Sequence, residues 1–244
     1  MAQADRTALS DNTSSTDLDN GVTAGTSKPL GGDLHVYGFN SRNSSDNLVA
    51  YFAGQAGFVP TTKGGSIRAA IRRGPASGNT GFAPFMYVGL QGTSKSSAAY
   101  ILGLSDADPF HISLRKGTLA TGVPDGGVNP DEANNILLRS TASFTSDDAW
   151  MHLRLDMIVQ GTGDVLLQVF QNDLSVNSVQ SPNWIDIPGM EGDQSPLIKG
   201  FVDDALQVNT GSAPFTAGRI GFGFRSFSVG ARSYFDHIQV ARQL

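Results

Sequence analysis

The residues best suited to acid–base catalysis are few, and their spacing predicts no active site. Glycoside hydrolysis requires two carboxyl groups held roughly 5–10 Å apart. The chain contains only two glutamates, Glu132 and Glu191, and both lie in sequence typical of turns. The aspartate pairs at 147–148 and 203–204 are adjacent residues, and neighbours on an extended chain point to opposite faces. We therefore expect no pair of catalytic carboxylates.

The sequence also contains no recognisable pattern for nucleophilic catalysis. The chain lacks cysteine, and no serine lies in a Gly-x-Ser-x-Gly sequence. His152 shares the polar side of a predicted strand with Arg154 and Asp156, where cross-strand hydrogen bonding is the expected role. His237 follows Asp236 in the last strand, and we expect it to support the fold. We predict that the protein is not an enzyme. The four histidines of the chain are His35, His111, His152 and His237.

The most basic stretch, SIRAAIRRG, contains Arg68, Arg72 and Arg73. On a strand, Arg68 and Arg72 share one side with Ala70, while the alternating apolar residues Ile67, Ala69 and Ile71 face the core. One interpretation is a solvated side of a sheet. The other is a surface for an anionic partner, such as an acidic patch of a neighbouring subunit or a charged polysaccharide. We predict partner binding at these three arginines.

Aromatic side chains suggest a different ligand, because flat rings can stack on sugar rings. Trp184, in SPNWIDIPG, is the best candidate for a carbohydrate-binding residue because it lies in a short segment preceded by a proline. Trp150 begins an alternating strand and is expected in the core. The same core position is expected for several phenylalanines, namely Phe82, Phe85, Phe222, Phe224 and Phe227.

Three loops are rich in oxygen ligands and are candidates for metal binding, at residues 17–20, 105–108 and 125–131. Calcium prefers such oxygens, but none of these loops has the spacing of an EF-hand, and Asp and Asn are also ordinary turn residues. We predict no metal site and no cofactor. Calcium remains an alternative, tied to a lectin-like function.

The segments that would position these residues are short and β-rich. Residues 150–159 alternate, with Met151, Leu153 and Leu155 on one side and His152 and Arg154 on the other. A Gly-Thr-Gly-Asp turn should join this strand to an antiparallel strand at 165–170. Residues 219–227 and 232–241 are expected to pair with each other. Further strands are predicted at 34–39, 48–53, 66–72, 83–90, 98–104, 110–116 and 135–141.

Composition agrees with an all-β protein. Glycine makes up 29 of 244 residues and charged residues only 16%, against about 25% charged in ordinary proteins. The net charge of −5 disfavours a nucleic-acid partner, and no apolar run is long enough to cross a membrane. Residues 1–32 are polar and are predicted to form an extended or disordered arm, followed by one domain at 33–244.

The chain from Trp150 onward resembles concanavalin A-like, or laminin-G-like, jelly-roll domains. The resemblance rests on the alternating strand, on GDVLLQVFQND, and on GRIGFGF followed by YFDHIQV. It implies an all-β, antiparallel two-sheet jelly-roll sandwich, here with an N-terminal arm. A fainter resemblance, carried by AYILGLSDADPFHISLRKGTL, is to structural proteins of tailed-bacteriophage particles.

These resemblances imply two functions. The first is a non-enzymatic virion structural or accessory protein of the head, neck or tail, assembled in the host cytoplasm. It would act through contacts with other virion subunits and form a homo-oligomer. The alternative is a lectin-like carbohydrate-binding module that uses Trp184, with calcium if it is metal-dependent. Its partner would be a surface polysaccharide.

Overall fold

The computed structural model describes residues 9–10, 16–23, 35–41, 48–52, 64–73, 82–94, 96–104, 111–119, 136–142, 150–192, 199–204, 212–226 and 232–242. Within these ranges the chain forms strands and no helix. No helix long and apolar enough to cross a membrane occurs in the part that is described.

The strands are short and separated by turn-forming residues, as the sequence predicts. In chain order they are β1 (Leu9–Ser10), β2 (Thr16–Thr23), β3 (His35–Ser41), β4 (Leu48–Phe52), β5 (Gly64–Arg73), β6 (Phe82–Leu90), β7 (Ala98–Leu104), β8 (Ile112–Thr118), β9 (Ile136–Arg139), β10 (Met151–Val159), β11 (Val165–Asn172), β12 (Trp184–Asp186), β13 (Phe201–Asp203), β14 (Arg219–Ser226) and β15 (Arg232–Arg242).

Two antiparallel sheets contain all of these strands. The seven-stranded sheet has the order β1-β4-β14-β6-β7-β8-β9, and the eight-stranded sheet has the order β12-β11-β10-β5-β15-β3-β2, with β13 paired to β11. This arrangement confirms the predicted all-β, two-sheet jelly-roll sandwich.

The core lies between the sheets and follows the alternation of the sequence. On β5 the residues Ile67, Ala69 and Ile71 face the core, as do Leu153 and Leu155 on β10. Burial of an aliphatic or aromatic side chain of this size contributes about 1.5–3 kcal/mol. Because successive side chains of a strand point to opposite sides, the residues between them lie on the outer side of the eight-stranded sheet.

The predicted hairpin at the centre of that sheet is confirmed. Strands β10 and β11 pair antiparallel from Val159 opposite Val165 to His152 opposite Asn172. In the turn, the backbone amide of Gln160 donates to the backbone carbonyl of Asp164 at 2.8 Å. Gly163 has φ of 91°, a conformation that glycine adopts without steric cost.

The predicted pairing of the last two strands with each other is wrong. Strand β14 pairs with β4 and β6 in one sheet, whereas β15 pairs with β3 and β5 in the other. Both strands are interior, but the chain crosses between the sheets after β14. The local pattern could not distinguish a hairpin from such a crossing, because both place two strands close together in sequence.

Two stretches of the predicted arm are strands. Strand β2 pairs with β3, at one edge of the eight-stranded sheet, and β1 pairs with β4, at one edge of the other. The remainder of residues 1–32 lies outside the described residues. The division into an arm and a domain at 33–244 stays a prediction.

A buried ion pair joins the two sheets at one end of the core. Lys116 of β8 donates to Oδ2 of Asp203 of β13 at 2.6 Å, and the two side chains are 2% and 0% exposed. Tyr100 of β7 donates its hydroxyl to the same carboxylate oxygen at 2.6 Å. The Lys116 ammonium also donates to the carbonyls of Ser212 and Ala213. These contacts compensate the buried charges, and we call them the Lys116–Asp203 network.

Candidate functional site

The candidate site lies on the outer side of the eight-stranded sheet, which we call the outer face. Its strands run β12-β11-β10-β5-β15, and since neighbouring strands are about 4.8 Å apart, they span about 19 Å. The pairing of these strands aligns two rows of side chains across the outer face. The arginine row is Asp186, Phe170, Arg154, Arg68 and Gln239, and the tryptophan row is Trp184, Asn172, His152, Ala70 and Asp236.

Arg154 is held in place by a carboxylate on its own strand. Its Nε donates to Oδ1 of Asp156 at 2.8 Å, and its Nη2 donates to Oδ2 at 2.5 Å. The guanidinium carbon lies 5.4 Å from the ring centre of Phe170 and 6.0 Å from that of Trp184. Burial raises the pKa of Asp156, and the hydrogen bonds from Arg154 oppose this rise. The guanidinium is therefore oriented before any ligand arrives.

Arg68 lies directly opposite Arg154 on the neighbouring strand. Its Nε donates to Oε1 of Gln239 at 2.9 Å, and its Nη2 donates to the same oxygen. No carboxylate among the described residues forms an ion pair with Arg68. Partial burial, and then the charge of Arg154, lower the pKa of Arg68. Like charges facing each other across strands destabilise a sheet, so this pair is costly to the fold.

A β-bulge in β15 places Gln239 beside Arg68. The register with β5 shifts between Asp236 and Gln239, and His237 has φ of 50°, which is uncommon for a residue other than glycine. Gln239 Nε2 donates to Nε2 of His237 at 3.0 Å. Bulges are frequent next to binding sites because they redirect side chains. Here the extra residue lets both His237 and Gln239 reach the outer face.

Trp184 is positioned by the buried amide of Asn172. The Asn172 oxygen accepts the amide hydrogen of Asn183 at 2.9 Å, and its nitrogen donates to the carbonyl of Ser178 at 3.2 Å. These bonds hold the loop that leads into β12. The Trp184 ring is half-buried, with its centre 4.7 Å from that of His152 at an interplanar angle of 57°. Part of the ring remains open to solvent.

The buried, neutral ring of His152 packs against the Trp184 ring. Its side chain is 1% exposed, and its Nδ1 accepts from Nδ2 of Asn172 at 3.2 Å, its cross-strand partner. That bond places the ring proton on Nε2, for which the described residues offer no hydrogen-bond partner. Burial, followed by the charges of His237 and Arg68, lowers the pKa of His152 to about 3. The predicted cross-strand role of His152 is confirmed.

A cleft opens beside Phe170, between β11, β12 and the segment that follows β12. It is shallow and is lined by Gln168, Phe170, Asp186, Glu191 and Lys199, among others. Lys199 and Asp186 form an exposed ion pair, which raises the pKa of Lys199. Glu191 accepts the amide hydrogen of Gly189 at 2.7 Å. The cleft thus offers donors and acceptors next to an aromatic ring.

Glycine is required in the wall of this cleft. Gly200 has φ of 125°, and a Cβ atom there would lie 2.4 Å from the carbonyl oxygen of Leu167. Its amide donates to the carbonyl of Glu191 at 2.7 Å. The close approach brings the segment after β12 against β11 and closes one side of the cleft.

The structure separates the three arginines that the sequence grouped. Arg68 lies at the centre of the outer face, but Arg72 is only 8% exposed, with its guanidinium carbon 5.6 Å from the ring centre of Tyr234. The side chain of Arg73 lies outside the described residues. The prediction of partner binding at all three stays a prediction. Trp184, proposed from the sequence for a different ligand, lies on the same face as Arg68.

Trp150 does not lie in the core between the sheets, which corrects the expectation for it. Since Met151 faces the core, the preceding side chain points outward, and Trp150 packs against Tyr234. Phe222 and Phe224 lie in the core as expected, and Phe85 lies in a second apolar cluster. Phe227 and the side chain of Phe82 are outside the described part.

Among the described residues, no cluster of three or more acidic or histidine side chains could hold a metal ion. The loops at 105–108 and 125–131 lie outside the described ranges, as do the side chains of 17–20. Neither the prediction of no metal nor the calcium alternative is decided by this observation.

Sequence reasoning missed Asn172, Phe170 and Gln239. The alternation of β10 and β11 could have placed Phe170 near Arg154, because the Gly-Asp turn fixes their register. Nothing in the sequence indicated that β5 lies beside the hairpin and β15 beside β5, so Gln239 could not have been connected to Arg68.

No family model matches the chain, and no curated protein matches it either. Solved structures with a similar overall fold include the carbohydrate recognition domain of Emp47p, with 10% identity, 96% of this chain and 100% of that chain covered, and a TM-score of 0.47. A protein of unknown function from Shewanella oneidensis MR-1 has 11% identity, 93% and 76% coverage, and a TM-score of 0.49.

The carbohydrate-binding module CBM66 from Bacillus subtilis has 11% identity, 84% and 86% coverage, and a TM-score of 0.42. These identities and TM-scores are too low to bear on the function of this chain.

Proposed function

We propose that the protein is a non-catalytic carbohydrate-binding module whose ligand lies along the outer face. The observation that carries this proposal is the partly exposed Trp184 side chain, whose ring contacts His152 and lies beside the Arg154 guanidinium. An aromatic ring provides a flat apolar surface for a sugar ring, and fixed polar groups beside it can satisfy the sugar hydroxyls.

Polar groups suited to hydroxyls lie on the same face, in the cleft beside Phe170. The cleft next to Phe170 contains the amide of Gln168, the carboxylates of Asp186 and Glu191, and the ammonium of Lys199. Gln168 and Lys199 are linked, because the Gln168 amide donates to the Lys199 carbonyl at 2.6 Å. Side chains already held by such contacts lose little conformational entropy when a ligand binds. This ordering supports recognition of an extended saccharide.

A binding role without catalysis is favoured by the state of the carboxylates. A glycosidase acid needs a raised pKa and access to the substrate. Asp156 has a raised pKa, but it is 2% exposed and bound by Arg154 through two hydrogen bonds. Within the cleft, Asp186 is engaged by Lys199 and Glu191 by a backbone amide. These groups are positioned to orient a ligand.

The virion location, the homo-oligomer and the subunit partners predicted from the sequence stay predictions. Subunit contact through the arginine patch receives less support than polysaccharide binding, because Arg72 is buried against Tyr234. Binding of a surface polysaccharide through Trp184 requires no second copy of the chain.

The test is binding to a printed array of neutral and acidic polysaccharides, followed by titration of the best ligand. Trp184→Ala removes the stacking surface, and we expect a loss of affinity of at least ten-fold. The matched control is Ile185→Ala, since Ile185 is the neighbouring strand residue and is 43% exposed, but alternates to the other side of β12. Its affinity should stay within two-fold of the wild type.

Thermal unfolding of both variants shows whether the fold is intact. The proposal is wrong if no polysaccharide on the array binds saturably, or if a folded Trp184→Ala variant binds as tightly as the wild type.

A further inference from the structure

We propose that the ligand of the outer face is an acidic polysaccharide, and that a carboxylate of one of its sugars binds between Arg68 and Arg154. This inference rests on the proposed function and adds the chemical class of the ligand. It is carried by the charge balance and the hydrogen-bond geometry of the arginine row.

Among the residues that the structure describes, Arg68 has no anionic partner. Arg154 is compensated by Asp156, and Lys199 is compensated by Asp186. Arg68 meets only the neutral amide of Gln239 among the described residues. Two like charges on directly opposed residues of neighbouring strands cost the fold stability. An anionic group placed between the two would remove that repulsion.

The donors that remain are suited to a carboxylate. Arg68 uses Nε and Nη2 for Gln239, and Arg154 uses Nε and Nη2 for Asp156. The described residues give no partner to Nη1 of either side chain. Directly opposed residues of neighbouring strands have Cβ atoms about 4.5–5.5 Å apart, so the two arginine side chains leave the sheet side by side on the outer face. Guanidinium groups bind carboxylates through paired, charge-assisted hydrogen bonds.

The two arginine side chains are also held in place before a ligand binds. The bulge at His237 positions Gln239, Gln239 holds Arg68, and Asp156 holds Arg154. Side chains already fixed in a binding geometry need not be ordered by the ligand. The Arg154 guanidinium carbon is also 6.0 Å from the ring centre of Trp184. A sugar stacked on Trp184 therefore has its neighbour in the polymer beside the arginine pair.

A single-stranded nucleic acid would also combine anionic groups with rings that stack. The compensated state of Arg154 and Lys199 favours a polymer with spaced carboxylates over a continuous phosphate backbone. Nucleic-acid binding is therefore an outcome against the proposal.

The experiment compares polygalacturonate, alginate and hyaluronan, each beside its carboxyl-reduced form, as ligands of the full chain. We expect the best acidic polymer to bind at least ten-fold more tightly than its reduced form, with affinity that falls as salt rises. Arg68→Gln should abolish this preference and retain the weaker binding of the reduced form. The control Arg139→Gln changes an exposed arginine of the other sheet and should bind like the wild type.

The outcomes separate the two proposals. Equal binding of acidic and reduced polymers, or an unchanged preference in Arg68→Gln, overturns the acidic ligand and leaves carbohydrate binding intact. Single-stranded DNA bound as tightly as the best polysaccharide also overturns it. Absence of all saccharide binding, on the array and among these polymers, overturns the proposed function together with the inference. Trp184→Ala should weaken the acidic and reduced forms alike, since stacking does not depend on charge.

Discussion

The Lys116–Asp203 network and the arginine row use charge in opposite ways. In the network, a cation and an anion are both buried and lie 2.6 Å apart, and Tyr100 donates to the same carboxylate oxygen. In the arginine row, two cations lie on opposed residues of neighbouring strands, and within the described part of the chain only Arg154 has a carboxylate partner.

The difference indicates which charges belong to the fold and which are available to a ligand. A buried charge must be compensated within the protein, because an unpaired ion in the interior costs several kcal/mol. An exposed charge can remain uncompensated, since water and salt screen it. Burial also raises the pKa of the Tyr100 hydroxyl, so that group stays a neutral donor in the network. The three predictions below test this contrast between structural and binding charge.

The largest effect is expected when the network loses its anion. Asp203→Ala leaves the Lys116 ammonium buried beside Tyr100 and two carbonyls, and should lower the free energy of unfolding by about 3–5 kcal/mol. Denaturant unfolding measures it. The double variant Lys116→Met, Asp203→Leu should cost less, because it removes both charges. A loss below about 1 kcal/mol for the single variant would show that the pair is not structural.

An intermediate effect is expected from His152, the buried neutral group of the outer face. Its pKa is about 3 in the fold and about 6.5 in the unfolded chain, so the unfolded state binds the proton first as pH falls. The stability that neutral His152 contributes is therefore fully present above about pH 6.5 and is lost as the pH falls toward 3. Between pH 7 and pH 5 the loss is about 2 kcal/mol.

The check is denaturant unfolding across that pH range, with His152→Gln as the matched variant. Glutamine can still accept a hydrogen bond from Asn172 but does not titrate. The variant should show a shallower dependence on pH, and an identical slope would mean that another group causes the loss.

The smallest effect is expected from Arg68→Gln. The substitution removes the repulsion with Arg154 and no ion pair with a described residue, so the free energy of unfolding should stay within about 0.5 kcal/mol of the wild type or rise. Denaturant unfolding beside Asp203→Ala provides the direct comparison. A loss above about 1 kcal/mol would make Arg68 a structural residue.

Much of the fold could be predicted from local patterns. The alternation of β10, the Gly-Asp turn and the apolar residues of β5 placed the core correctly, because side-chain direction on a strand has a fixed period of two. The same rule placed Arg68 and Arg154 away from the core. It failed for β14 and β15, since the choice between a hairpin and a crossing depends on contacts far apart in sequence.

The candidate site was predicted only in its parts. Trp184 and Arg68 were identified separately, for different ligands, and the distance between them in the chain gave no reason to connect them. Arg72 and Arg68 were grouped because they share a side of one strand, yet Tyr234 of β15 covers Arg72. Burial on the outer side of a sheet depends on what other segments bring to it, and a strand pattern does not contain that information.

The sequence by itself therefore determined the β-sandwich class, the two sides of β5 and β10, and the residue types available for binding. Only the tertiary structure decided that β12, β11, β10, β5 and β15 are neighbours, and that Trp184, Arg154 and Arg68 share one face. The physical reason is that side-chain alternation is a local property of an extended chain, whereas strand order and register arise from pairing between distant segments. The arginine pair with one carboxylate exists only after that pairing.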